Sequence, residues 1–371
     1  MNVSTAIQRD LLGACMERIG IPLRLHNSVD EDMSDNLQAY VSSSAGSTLD
    51  CFRTDIIRWF AWCDATGASP LKPAARNVRD FIREFEHGRK PATIRRMIVN
   101  IGVLISAIAG NPNVTHTKIV RAEMKRIRRE KGSAHKQALA IRQLGFVGSM
   151  DDVPQPFSIK RMIQALDGDH SLRVIRGKFI LSLGGDTGRR HSEYYRAQIR
   201  HLFDATDGEG TFHVERSKTD QEGKGLTRWV SKRTMRFFRE WIVGREASGE
   251  IVTSNSWLPI SVDRWGTPLP QAHLSSQGYQ IALRSAVRTA LTRMVPDYPE
   301  LQAQIDGTIE KISGHSFRVG KVEDFVTAGE PITAICIEGG WETPTMPIMY
   351  GRNLSVKNGA AARLQRRLGD E

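Results

Sequence analysis

The sequence predicts a mainly α protein with one small antiparallel sheet, divided into an all-α N-terminal bundle and an α+β second domain. Three observations predict this. Apolar residues recur at helical spacing through residues 27–133, a polar and Pro-containing stretch follows over 134–157, and three short β-rich runs then lie between groups of helices. At 371 residues the chain is long enough for two cores.

In order, residues 1–26 read as a short extension with no domain of its own. Ser28 and Glu31 form a possible capping box ahead of a helix through Leu37 and Val41. Ser47 or Thr48 caps a second helix, with Phe52, Ile56, Trp59, Phe60 and Cys63 on one face and Gly67 at its end. A third helix over 74–86 buries Val78, Phe81, Ile82 and Phe85; a fourth spans 92–109 and a fifth 114–131. The fifth carries Lys118, Arg121, Lys125, Arg126, Arg128, Arg129 and Lys131 against Glu123 and Glu130, with Ile119, Met124 and Ile127 turned to the core. The interdomain linker occupies 134–157, leaving 158–371 as the second domain. That domain opens with helices over 158–166 and 172–183. Strands follow over 199–203, 211–217 and 226–230, and helices such as 282–294 close it.

Composition narrows the partner. Lys and Arg total 52 against 41 Asp and Glu, a formal +11, which favours a polyanion because phosphate neutralisation releases condensed counterions. Cys15, Cys51, Cys63 and Cys336 show no C-x-x-C spacing, which fits a reducing cytoplasm and no zinc site. The N-terminus carries Arg9, Asp10, Glu17 and Arg18 where a secretory signal needs an apolar run. The apolar stretch over 97–109 is broken by Asn100 and is shorter than the ~20 residues a spanning helix needs. A soluble, cytoplasmic protein with no membrane partner is expected.

Four segments carry candidate chemistry: Gly184-Gly-Asp-Thr-Gly-Arg-Arg-His-Ser-Glu193; Arg216-Ser-Lys218-Thr; Ser313-Gly-His315-Ser-Phe-Arg318-Val-Gly320; and Glu338-Gly-Gly-Trp341, followed nine residues after the indole by Tyr350. Singly, each has an ordinary structural reading. His315 and Arg318 share a helix face as many packed pairs do, Lys218 sits in a polar turn, and a tyrosine near a C-terminus packs as amphipathic filler. The run Gly314 to Lys321 fits the first part of a P-loop, but Val322 stands where that motif needs a hydroxyl for Mg²⁺.

Taken together and in order, the four segments resemble the tyrosine site-specific recombinases of the phage integrase family. The likeness runs from about residue 28 to the end and includes Met124-Lys-Arg-Ile-Arg-Arg-Glu-Lys, Lys136-Gln-Ala-Leu-Ala and the Tyr350-Gly-Arg-Asn-Leu ending. The resemblance implies a helical core-binding domain and a catalytic domain closing as a C-clamp on duplex DNA. It places the first arginine at Arg190, with Glu193 as its orienting carboxylate; Arg189 is an adjacent competitor, but Arg190 keeps the three-residue spacing. Lys218, His315, Arg318, Trp341 and the nucleophile Tyr350 complete the set.

Chemistry fits that set. Two forked guanidiniums suit the nonbridging oxygens of a phosphodiester under attack. A tyrosine with an ordinary pKa near ~10 needs a proton acceptor, for which His315 is the candidate; Lys218 would protonate the departing 5′-oxygen. Trp341 would donate its indole N–H to the phosphate and exclude water. The resemblance further implies a homotetramer acting on inverted-repeat sites through a Holliday junction, monomeric or weakly associated off DNA. No cofactor, metal or ATP is expected, and localisation follows a bacterial or phage nucleoid. Arg95, Arg96 and Lys136 join the seven basic residues of the fifth helix as candidate DNA contacts. Ala360, Ala361, Leu364 and Leu368 form an apolar stripe for a neighbouring subunit or for the chain's own domain. Pro347 is expected to distort the start of the tyrosine helix. Two other readings remain: a type IB topoisomerase, which relaxes DNA without a site, and a binding factor that has lost catalysis.

Overall fold

The computed structural model describes residues 3–132, 137–143, 157–205, 207–215, 225–351 and 360–369, with side chains described from Asp10 onward except at 360, 362 and 363. The chain divides into two compact units, Met1–His135 and Lys136–Glu371.

The first unit is helical throughout. Residues expected to lie outside the bundle instead form α1 (Val3–Ile19), whose Leu12, Cys15, Met16 and Ile19 recur at helical spacing and are buried in the bundle core. The chain then winds a 3₁₀ turn over Leu23–Ser28, so Ser28 closes that turn rather than capping the next helix. The cap of α2 (Glu31–Ser43) is Asp30, which accepts from the Met33 amide at 2.8 Å. α3 (Gly46–Thr66) starts just ahead of Ser47, behind an Ala45 that offers no side-chain bond, and ends on Gly67 in the left-handed region (φ 70°). α4 (Ala75–Phe85), α5 (Pro91–Gly102) and α6 (Lys118–Lys131) complete the bundle. α5 continues into a π-helical turn, Val103–Ile108. Together these two are long and apolar enough to cross a membrane, but Ile94, Met97, Ile101, Leu104 and Ile108 are buried in the bundle. On α6 the inward face is Val120, Met124 and Ile127; Ile119 is exposed, one step off the stripe.

Polar groups lock this bundle. Asp55 is fully buried on α3 and accepts two bonds from Arg96, at 2.9 and 3.0 Å, and one from Asn100 at 2.8 Å. Arg126 donates to Glu123 at 2.6 Å and Glu86 at 2.7 Å, and Lys131 to the Glu86 carbonyl. Arg96, Arg126 and Lys131 are thus engaged inside the unit, whereas Arg95, Lys118, Arg121, Lys125, Arg128 and Arg129 are exposed.

In the second unit, α7 (Ile159–Ala165) is capped by Ser158, and α8 (Leu172–Thr187) is buried along most of its length. α9 (His191–Tyr195) leads to an antiparallel sheet of β1 (Leu202–Asp204), β2 (Gly210–Val214) and β3 (Leu226–Val230), in that order. A 3₁₀ turn takes Ile199–His201, part of the expected first strand. α10 (Lys232–Ala247) packs on α8, and a second hairpin, β4 (Ile260–Val262) with β5 (Pro268–His273), had no counterpart in the sequence reading. Helices follow: α11 (Ser276–Met294), α12 (Leu301–Lys311), α13 (Ser316–Ala328), α14 (Ile332–Gly339), α15 (Thr345–Gly351) and α16 (Ala360–Leu368). Buried Asp186 fastens the end of α8 to the start of α10, accepting from the Ser231 amide at 2.8 Å and from the Ser231 and Thr234 hydroxyls at 2.6 Å.

Part of the expected linker belongs to this unit. The Leu139 amide donates to the Lys311 carbonyl at 3.1 Å and the Ile141 amide to Ser316 at 3.0 Å, while Arg142 is buried and pairs with Asp324 at 2.8 Å. The close approach depends on Gly320: a Cβ there would lie 1.9 Å from the Ile141 carbonyl oxygen. Gly320→Ala must therefore displace backbone, at a cost of about 1–3 kcal/mol. A thermal midpoint lower by roughly 2–10 °C is expected for the second unit; an unchanged midpoint would show that the segment is not seated on α13.

Candidate active site

The site grows from the ends of helices. α8 stops at Gly188, left-handed at φ 56°, and the turn delivers Arg189 and Arg190 side by side. They differ in what they do. Arg189 is 1% exposed; its Nε donates to Glu193 at 2.7 Å and its Nη1 to the Gly339 carbonyl at 3.1 Å. Arg190 is more open and donates to the other Glu193 oxygen at 3.2 Å. Glu193, on α9, is buried and thus serves both arginines.

Arg318 enters from the first turn of α13, 1% exposed. Its Nη2 donates to the Gly339 carbonyl at 2.8 Å, and its guanidinium lies 3.8 Å above the Trp341 ring. Its Nη1 is buried and finds no acceptor among the described residues. Burial, followed by the charges of Arg190 and Arg189, pulls the Arg318 guanidinium down to about 9. A buried cation with a spare donor among other cations is unfavourable alone and is relieved by an anion.

The Gly-Gly-Trp turn is held by its carbonyls. α14 ends at Gly340 (φ 63°), and its unsatisfied C=O groups are the natural acceptors for cations. Arg189 and Arg318 share Gly339, and Arg228 from β3 reaches Ile337 at 2.7 Å. Sequence reading passed over Arg228 and left Arg189 as a competitor only; their partners lie 109 and 150 residues away.

Tyr350 lies on α15, 7% exposed, in a small core with Ala140, Val319, Val322 and Ile335. Its ring centroid is 6.1 Å from that of Trp341, and its phenol is among the groups that act electrostatically on Arg318. Pro347 does not distort the helix. α15 begins at Thr345, with the Ile348 amide bonded to the Pro344 carbonyl at 3.0 Å, so the proline falls in the first turn, where no N–H is needed. His315 is exposed and precedes α13 rather than sitting within it. Its ring lies edge-on to His191 at 6.0 Å, and His191 is bonded to Ser276 at 2.8 Å. Burial pulls the His191 imidazole below its ordinary value. The structure therefore brings Arg190, Glu193, Arg318, Trp341 and Tyr350 into one neighbourhood, with His315 at its edge. Lys218 and Lys136 lie outside the described residues.

Glu193 is the carboxylate that both adjacent arginines share. Glu193→Gln removes that charge and leaves the guanidiniums to repel one another. A stability loss of about 2–4 kcal/mol is expected, read as a lower urea midpoint; a midpoint equal to wild type would mean that other groups neutralise the cluster.

Comparison with known proteins follows the same direction. No family model matches the chain. It is 26% identical over 337 residues to the recombinase Cre of Escherichia phage P1, covering 90% of each chain. It is 25% identical over 187 residues to an integrase/recombinase XerD homologue of Selenomonas ruminantium, covering 49% of this chain and 50% of that one. Among solved structures, the XerH site-specific recombinase in a post-cleavage complex with a palindromic difH substrate superposes with a TM-score of 0.57, at 13% identity, over 98% of this chain and 94% of that one. The Tn1549 transposon integrase in complex with transposon right end DNA gives 0.55, also at 13% identity, over 91% and 98%. These two support the fold. Over nine-tenths of its length the chain is thus similar in sequence to the recombinase Cre, and it shares the fold of these two solved structures.

Proposed function

We propose that this protein cuts and rejoins duplex DNA at inverted-repeat sites, with Tyr350 as nucleophile. The observation that carries the reading is the buried Arg318, with an open N–H beside Tyr350 and Trp341. An anion with several oxygens satisfies that donor, and a phosphodiester supplies one.

The Tyr350 oxygen attacks the scissile phosphorus, the P–O5′ bond breaks, and a 3′-phosphotyrosine remains. Charge gathers on the nonbridging oxygens, where Arg190 and Arg318 hold it. His315 accepts the phenolic proton and Lys218 gives a proton to the departing 5′-oxygen. Trp341 supports the Arg318 guanidinium through its ring face and walls the phosphate from water. One phosphoester replaces another, so the reverse attack by a 5′-hydroxyl needs no ATP. Repeated between two sites in a tetramer, the step passes through a Holliday junction and serves excision, resolution or integration of a mobile element, plasmid or phage replicon. Exposed Arg95, Lys118, Arg121, Lys125, Arg128 and Arg129 contact phosphates. The exposed Leu364 and Leu368 of α16 dock on a neighbouring subunit.

Covalent capture tests this directly. Wild type and Tyr350→Phe are incubated with sheared DNA from the source replicon, and SDS-resistant adducts are recovered and sequenced. Adducts from wild type alone, converging on one inverted repeat, are expected. Adducts scattered without sequence preference would indicate a topoisomerase-like relaxing activity, and DNA binding without adducts would indicate a binding factor.

A further inference from the structure

We infer that Gln137 is a positioning residue for the nucleophile, acting on the backbone of Tyr350 itself; the inference rests on the role proposed for that tyrosine. The Gln137 Nε2 donates to the Tyr350 carbonyl at 3.0 Å, and the same nitrogen lies 3.4 Å from the Glu323 carboxylate on α13. One amide thus joins the helix carrying Tyr350 to the helix carrying Arg318.

Tyr350 needs such a partner. α15 has only seven residues, and Tyr350 is its last but one, so its carbonyl is among those a helix end leaves without an internal acceptor role. A helix this short is marginal by itself and takes its stability from outside contacts. Gln137 is well placed to supply one because the segment behind it is fixed. Leu139 and Ile141 donate to the Lys311 and Ser316 carbonyls. Ala140 shares the small core that holds Tyr350. Arg142 is anchored by Asp324 and Thr327, both at 2.8 Å, and Gly320 lets the Ile141 carbonyl sit against α13. The chain arriving at the second unit therefore meets the nucleophile's own helix within its first described residue. Loss of the amide leaves the phenol in place on average but widens its range of positions, and a nucleophile out of line loses rate steeply.

The test compares Gln137→Met, which keeps length without a donor, with Gln137→Lys, which keeps a donor between the Tyr350 carbonyl and Glu323. Full-length proteins are used in single-turnover cleavage on a captured DNA site, together with gel-shift affinity and hydrogen exchange of residues 345–351. We expect the Met variant to bind DNA as wild type does, to cleave about tenfold more slowly, and to exchange faster in 345–351 while 316–328 stays protected. The Lys variant recovers most of the rate. Equal cleavage rates and equal exchange in the Met variant would overturn the inference. If wild type itself forms no adduct, the function proposed for Tyr350 fails, and the exchange of 345–351 still decides whether Gln137 holds the helix.

Discussion

Like charge held at close quarters is the constraint around which the second unit is built. Arg189, Arg190 and Arg318 converge near one buried carboxylate, Glu193, and Arg318 is held well below its ordinary pKa by burial and by its two neighbours. Such a cluster stands only if backbone carbonyls and a single acid share the load. Gly339 accepts from Arg189 and Arg318, Ile337 accepts from Arg228, and the Trp341 ring lies beneath Arg318. What remains are two buried donors, Arg318 Nη1 and Arg228 Nε, without an acceptor among the described residues.

The rest of the unit keeps those groups in register. The left-handed Gly188 turns the end of α8 so that two consecutive arginines point at different partners. Asp186 ties that helix end to α10, and Gly320 admits the Ile141 carbonyl against α13, two residues beyond Arg318. Each contact is ordinary alone. Together they join α8, α9, α13, α14 and β3, elements far apart in sequence, at the Gly-Gly-Trp turn, and Tyr350 packs beside it.

Much of this was legible in the sequence, for a physical reason. Spacing along one helix or one turn is local information, so Arg190 with Glu193 could be read directly, as could Gly67 closing α3 and all of β3, whereas His315 falls just ahead of the helix that carries Arg318. Partners distant in the chain were not legible. Arg96 and Arg126 look like surface cations until Asp55, Glu86 and Glu123 are seen beside them. Arg189 looks like a rival of Arg190 until Gly339 is seen to occupy it. Pro347 looks disruptive when the helix is counted from Thr343, and harmless once it begins at Thr345. The apolar face of α1 was present in Leu12, Cys15, Met16 and Ile19, but the charged residues between them masked it.

The central claim is that Arg318 is kept buried for an anion and not for the fold. Thermal unfolding of wild type and Arg318→Met, each with and without duplex DNA, tests it most directly. Replacing an incompletely satisfied buried cation with an apolar side chain is often neutral or stabilising. The Met variant should therefore melt at or above wild type without DNA, and gain less than wild type when DNA is added. A variant that melts well below wild type without DNA would contradict the account, and Arg318 would then be a structural cation.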